Sequence, residues 1–172
     1  MIYLENNRQI PVTSPDPYPP ITVTRPNQHY AHLLLQDFTS PKGEMTAIYQ
    51  YLYQNWTVKN HNISETLMRI AQVEMHHLDI LGQAITALGG NPKYQSIEKD
   101  SHSAWNGNAI NYTQNIKQIL RYNISLEEGA IHSYQLHAKM IQDQSISAIC
   151  LRLAEDEEIH RAIFKKLLFE LT

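Results

Sequence analysis

Apolar positions recur every three to four residues through most of the chain, which predicts helix after helix rather than alternating strands. YAHLLLQDF (30–38) reads as a short apolar helix. Ser40 is placed to cap the next one, with Pro41 at its first position, and that helix runs to about Thr57. Asn62 followed by Glu65 reads as a capping box for a third helix, ended by Gly89-Gly90-Asn91-Pro92. Further helices are predicted over about 113–141 and 146–171. The segment 89–112 between them is polar, aromatic and long for a connection.

Residues 1–28 break the pattern. PVTSPDPYPPITVTRPN holds six of the eight prolines, which remove backbone donors and fix φ, so an extended arm is predicted before a domain at 29–172. Four long helices with one apolar seam each predict an all-α four-helix bundle. The links are short, long and short. The long crossover lets the second and third long helices run parallel, which is the ferritin-like topology.

The seams carry charge as well as aliphatic side chains. Glu44 shares a face with Ile48, Tyr51 and Asn55. Glu74 and His77 fall among Leu67, Ile70, Leu81, Ala84 and Leu88, and Glu127 among Leu120, Ile124, Ile131, Tyr134 and Ala138. Glu157 and His160 lie between Leu153 and Phe164. The two Glu-x-x-His pairs put both side chains on one helical face. With 11 glutamates and 9 histidines, roughly 0.6 such pairs arise by chance, so the motif alone decides little. The spacing decides more: Glu44 precedes Glu74 by 30 residues and Glu127 precedes Glu157 by 30, so the chain repeats at 83. Glu-x-x-Ala-Ile-x-x-Tyr occurs at both Glu44 and Glu127.

Four glutamates in one core are unstable without a cation, because a buried unpaired carboxylate costs several kcal/mol. Two divalent ions offset the charge, and mixed carboxylate and imidazole donors suit manganese or iron. Tyr51 and Tyr134 read as core aromatics whose phenols can reach ligand carboxylates. Glu128 and His76 lie off the seams, Asp156 and Glu158 read as the solvated side of the last helix, and Cys150 as a small buried apolar group.

Composition narrows the partners. Hydrophobic content is 42%, and no apolar run approaches the ~20 residues of a membrane span. The N-terminus lacks the charged head and apolar stretch of a secretory signal. One cysteine excludes an internal disulfide and fits a cytoplasmic setting. A net charge of −3 without a basic stripe argues against nucleic acid.

In order, GEMTAIYQYLYQNW, VEMHHLDILGQAI, SAWNGNAI, SLEEGAIHSYQL and EDEEIHRAIF resemble the manganese catalases, most closely the short type related to spore-coat proteins. The resemblance covers roughly residues 8–171. It implies two manganese ions and disproportionation of hydrogen peroxide to water and oxygen. It also implies that Glu44 and His77 bind one ion, Glu127 and His160 the other, that Glu74 bridges them, and that Glu157 moves protons. In a di-iron relative Glu157 would be a ligand as well. A homo-oligomer is expected, with the arm free to lie on a neighbour. Two alternatives stand beside it: a rubrerythrin-like di-iron peroxidase or oxidase with an outside electron donor, and a metal-stabilised structural subunit of coat type.

Overall fold

A computed structural model describes residues 10–98 and 101–171. Its helices are α1 (Gln28–Thr39), α2 (Glu44–Thr57), α3 (His61–Ala87), α4 (Ile116–Met140) and α5 (Gln144–Glu170). The last four form the bundle, paired as α2 with α3 and α4 with α5, while α1 lies against α3. The ferritin-like arrangement expected from the short, long, short links is the one observed.

Helix starts follow side-chain caps, not always those expected. Asn60 rather than Asn62 caps α3, its Oδ1 accepting from the Ile63 N–H at 3.1 Å. Asn115 caps α4 and Asp143 caps α5. Ser40 ends α1 instead of opening α2, and Gly43 takes the cap position. The reason is space. A Cβ on Gly43 would run into the Asp37 carbonyl oxygen and lie 3.1 Å from that of Gln36. The α1–α2 corner therefore closes only around a residue without a side chain. At the far end of α3, Gly89 adopts φ +83°, the left-handed stop expected of the Gly-Gly pair.

The crossover contains an antiparallel ribbon that periodicity did not indicate, β1 (Gln95–Glu98) with β2 (Ser101–Ala104), then a 3₁₀ turn at Gly107–Ala109. Polar contacts fasten the crossover to the bundle. Trp105 Nε1 donates to Thr46 Oγ1 at 3.0 Å, and the Asn111 N–H donates to Gln50 Oε1 at 3.0 Å.

The first nine residues of the arm lie outside the described part of the chain. From Ile10 the arm is extended and runs antiparallel along α5 of its own chain. Val12 reaches His160, Ser14 reaches Asp156, Asp16 reaches Arg152, and Thr24 reaches Asp143.

Two apolar clusters fill the bundle. One joins α1, the C-terminal half of α3 and the N-terminal half of α5 around Leu34, Leu81, Ile85 and Leu153. The other surrounds Leu67, Ile70, Leu120 and Phe164. Between them α3 passes through Glu74 and His77, and α5 through Glu157 and His160. The bundle thus has a charged waist between two greasy ends.

Candidate metal centre

All six seam residues, Glu44, Glu74, His77, Glu127, Glu157 and His160, are buried in this waist. They fall into two overlapping sets whose ligand atoms lie within 4.8 Å of one another: Glu44, Glu74, His77 and Glu157, and Glu74, Glu127, Glu157 and His160. Glu74 and Glu157 belong to both. Glu74 Oε2 and Glu157 Oε1 each lie 3.0 Å from His77 Nδ1. On the other side Glu74 Oε1 lies 3.0 Å and Glu157 Oε2 3.1 Å from His160 Nδ1. The two imidazoles face each other with ring centres 6.2 Å apart.

Several of these short distances are not hydrogen bonds. Both Glu74 oxygens, Glu157 Oε1 and His77 Nδ1 are buried without a hydrogen-bond partner among the described residues. Buried polar atoms left unpaired cost about 1–3 kcal/mol each, more when charged. Converging lone pairs of this kind fit a cation, and the donor set of four carboxylates and two imidazoles fits a pair of divalent ions.

The electrostatics point the same way. Burial pushes the Glu44 carboxyl well above its ordinary range, and the neighbouring Glu74 and Glu157 push it further. Glu127 is raised by burial, then by Glu157 and Glu74. Burial also acts to raise Glu74, but His160 and His77 outweigh it and hold the group below the ordinary range. Burial opposes charge on the two histidines, yet the surrounding carboxylates raise both: Glu157, Asp156 and Glu44 around His77, and Glu74 and Glu157 around His160. Without a cation the chain must hold protons at this waist to balance its own charge.

The tyrosines of the repeated motif are hydrogen-bonded across the bundle. Tyr51 donates to Glu127 Oε1 and Tyr134 donates to Glu44 Oε1. Each half's phenol therefore orients the other half's carboxylate. Beyond them, a buried Gln50–Asn123–Gln54 cluster ties α2 to α4, with Gln50 Nε2 3.0 Å from Asn123 Oδ1 and Asn123 Nδ2 2.7 Å from Gln54 Oε1.

Comparison with known proteins fits this geometry. The rubrerythrin family model matches residues 39–168. The chain belongs to the rubrerythrin family. A probable manganese catalase of Clostridium acetobutylicum is 27% identical over 166 residues, covering 86% of this chain and 74% of the relative. The crystal structure of KatB, a manganese catalase from Anabaena, superposes with a TM-score of 0.83 at 27% identity, over 92% of this chain and 79% of that one. The Desulfovibrio desulfuricans bacterioferritin, with a diiron site, superposes at 0.71 and 20% identity over 83% of this chain and 80% of that one, a likeness of fold.

In this rubrerythrin-family chain a cavity of about 340 Å³ leads to the waist. Its outer end is lined by the exposed Lys42 and its inner end by Glu44, Glu127, Tyr134 and Glu157. Glu74 does not line it. Of the two shared carboxylates, Glu157 is the one that lines the cavity.

One expectation is overturned. Asp156, read as solvated, is wholly buried. Its Oδ2 accepts from His77 Nε2 at 3.1 Å. Asp156 sits about 100° round the helix from Glu157, on a flank of the seam that the arm covers rather than solvent. Glu158, Glu128 and His76 are exposed, as expected.

Proposed function

We propose that the waist holds two manganese ions and that the protein disproportionates hydrogen peroxide to water and oxygen, as the likeness to manganese catalases suggests. The observation that carries the reading is the convergence of Glu74, Glu157 and His77 atoms that are buried and unpaired. Glu44 and His77 are assigned to one ion, Glu127 and His160 to the other, and Glu74 to both. When bound, the manganese pair supplies electron storage, so that one peroxide is oxidised and the next reduced.

The chain's own residues do the rest. His77 and His160 present Nδ1 inward. Tyr51 and Tyr134 hold Glu127 and Glu44 in orientation. Glu157 is the residue of the shared pair that lines the cavity, so it takes a proton from an incoming peroxide and gives it to the oxygen that leaves as water when the O–O bond breaks. The carboxylates of Glu44, Glu127 and Glu157 at the inner end of the cavity suit a small uncharged substrate rather than an anion. Iron accepts the same donors, and the family match makes it the metal to compare. Peroxidase turnover with iron would need electrons from elsewhere, since one buried cysteine cannot build a four-cysteine centre.

No helix among the described residues is long and apolar enough to cross a membrane. Assembly of identical copies belongs to the proposal. Trp56, 71% exposed, offers apolar surface for it, and the solution mass tests it.

The deciding experiment reconstitutes one preparation separately with manganese and iron, then measures metal content and oxygen release from peroxide without reductant. Two manganese per chain with oxygen evolved is the expected result. Glu157→Gln should keep metal and lose turnover. Peroxide consumption only with iron and a reductant would replace the catalase reading by a peroxidase. A folded chain that takes up neither metal would remove it.

A further inference from the structure

We propose that arm segment 12–18 is the outer clamp of the metal centre, fixing Nε2 of both His77 and His160 so that Nδ1 of each faces the cluster. This rests on the metal reading above for its purpose, though not for its geometry. His160 Nε2 donates to the Val12 carbonyl at 2.9 Å. His77 Nε2 donates to Asp156 Oδ2 at 3.1 Å. Asp156 in turn is held by the arm. Thr13 Oγ1 donates to its Oδ1 at 3.0 Å, the Ser14 N–H at 2.6 Å, and Tyr18 Oη donates to Oδ2 at 2.6 Å. Arg152 Nη1 completes the set at 2.7 Å from Oδ1.

Arg152 also locks the arm. Its Nε donates to the Asp16 carbonyl at 2.8 Å and its Nη2 to that of Ser14 at 3.1 Å. Its guanidinium lies 4.2 Å from the Tyr18 ring centre, and the His76 ring meets the same tyrosine edge-on at 4.8 Å. An imidazole whose Nε2 must donate outward is held in the orientation in which Nδ1 can ligate. One histidine is held by arm backbone, the other through a carboxylate that three arm groups keep in place. Simple coverage of α5 would need none of these contacts to end on a histidine. Val12, Thr13, Ser14, Tyr18 and Asp156 are thus positioning residues for ligands on α3 and α5.

The test uses the full chain with Tyr18→Phe, Asp156→Asn and, as a control, Ser145→Ala. Ser145 anchors the arm at Pro20 and Thr22, away from the clamp. In the metal-free protein, proton NMR should show slowly exchanging Nε2–H signals for both histidines. Asp156→Asn should remove that of His77 and keep that of His160. In manganese-loaded protein, release to excess EDTA should be about 10–100-fold faster for Asp156→Asn, several-fold faster for Tyr18→Phe, and unchanged for Ser145→Ala. Wild-type release rates in both clamp variants, or an equal effect of Ser145→Ala, would overturn the clamp. If Asp156→Asn does not fold, Tyr18→Phe decides by the same readouts. A wild-type chain that binds no manganese would remove the proposed function. The Nε2–H signals then decide the clamp alone: it stands if His77's depends on Asp156 and falls if neither signal is protected.

Discussion

The α2–α3 half and the α4–α5 half of the bundle present nearly the same inner face, built on different backbones. Each supplies one glutamate, one tyrosine and one Glu-x-x-His pair. Glu44, however, is the first residue of α2, beside a side-chain-free cap, where the helix N-terminus favours a carboxylate. Glu127 sits inside α4, and the residue matching Gly43 is Leu126. Outside the face the halves diverge again: His77 leans on a carboxylate and His160 on a carbonyl. Chemistry constrains the faces that meet an ion, and local packing is free to support them by whatever means is near.

The most damaging way to break that symmetry is to remove a shared residue. Glu74→Ala should take metal content from two ions per chain towards none and end oxygen release, as metal analysis and an oxygen electrode would show. Glu44→Ala should also abolish turnover. If Glu74→Ala retained both ions, the two overlapping sets would not act as one site.

Removing the metal comes next. Glu44, Glu127, His77 and His160 all have folded pKa values raised above their unfolded ones. Such groups stabilise below the unfolded values, about 4.3 for Glu and 6.5 for His, and that stability is lost as pH rises through the folded values. The melting temperature of the metal-free protein should therefore fall as pH rises above about 4.3, and further above about 6.5. Ligand deprotonation favours the ions over the same range, so the gap to the manganese-loaded protein should widen. Parallel curves in a calorimeter would refute this.

Tyr51→Phe and Tyr134→Phe sharpen the comparison, because each removes one hydrogen bond to a carboxylate of the other half. Each should cost the loaded protein about 1.5–3 kcal/mol, and the two losses should match in denaturant titrations. Gly43→Ala should be one-sided. It crowds the Asp37 carbonyl, costs about 1–3 kcal/mol, and displaces Glu44 while Glu127 stays in place, so one ion per chain should be lost first. Smallest of all is Glu128→Ala. The partner is Lys165 at 3.0 Å, and both side chains are about half exposed. Less than about 1 kcal/mol is expected, with metal content unchanged, although Glu128 adjoins Glu127.

The inner face was legible because it obeys helical periodicity. Leu67, Ile70, Glu74, His77, Leu81 and Leu88 share a stripe that a 3.6-residue repeat identifies, and the 83-residue repeat supplied its counterpart. Side-chain caps were less legible. Asn60 and Asn62 offer the same chemistry two residues apart, and the helix is capped by Asn60, whose side chain accepts from the Ile63 N–H. Gly43 displaced Ser40 because of an approach to α1 that is tertiary, not local. Asp156 is hard to place for a related reason. It lies on the flank of the seam, and nothing periodic marks where an irregular arm will lie. A clue was available in Arg152 and Asp156, opposite charges one helical turn apart on that face.

The cross-bundle phenols bear on how the protein comes into being. Tyr51 and Glu127 are 76 residues apart in the chain, Tyr134 and Glu44 are 90 apart, and His160 and Val12 are 148 apart. Contacts of such separation close late in folding, since the loop entropy is lost before they form. During synthesis an emerging α2–α3 hairpin offers an ion only Glu44, Glu74 and His77, with Glu44 lacking the phenol that orients it. On the proposed function, capture of the ion pair would therefore be a closing event of folding, and newly made chains would compete for metal as nearly finished bundles.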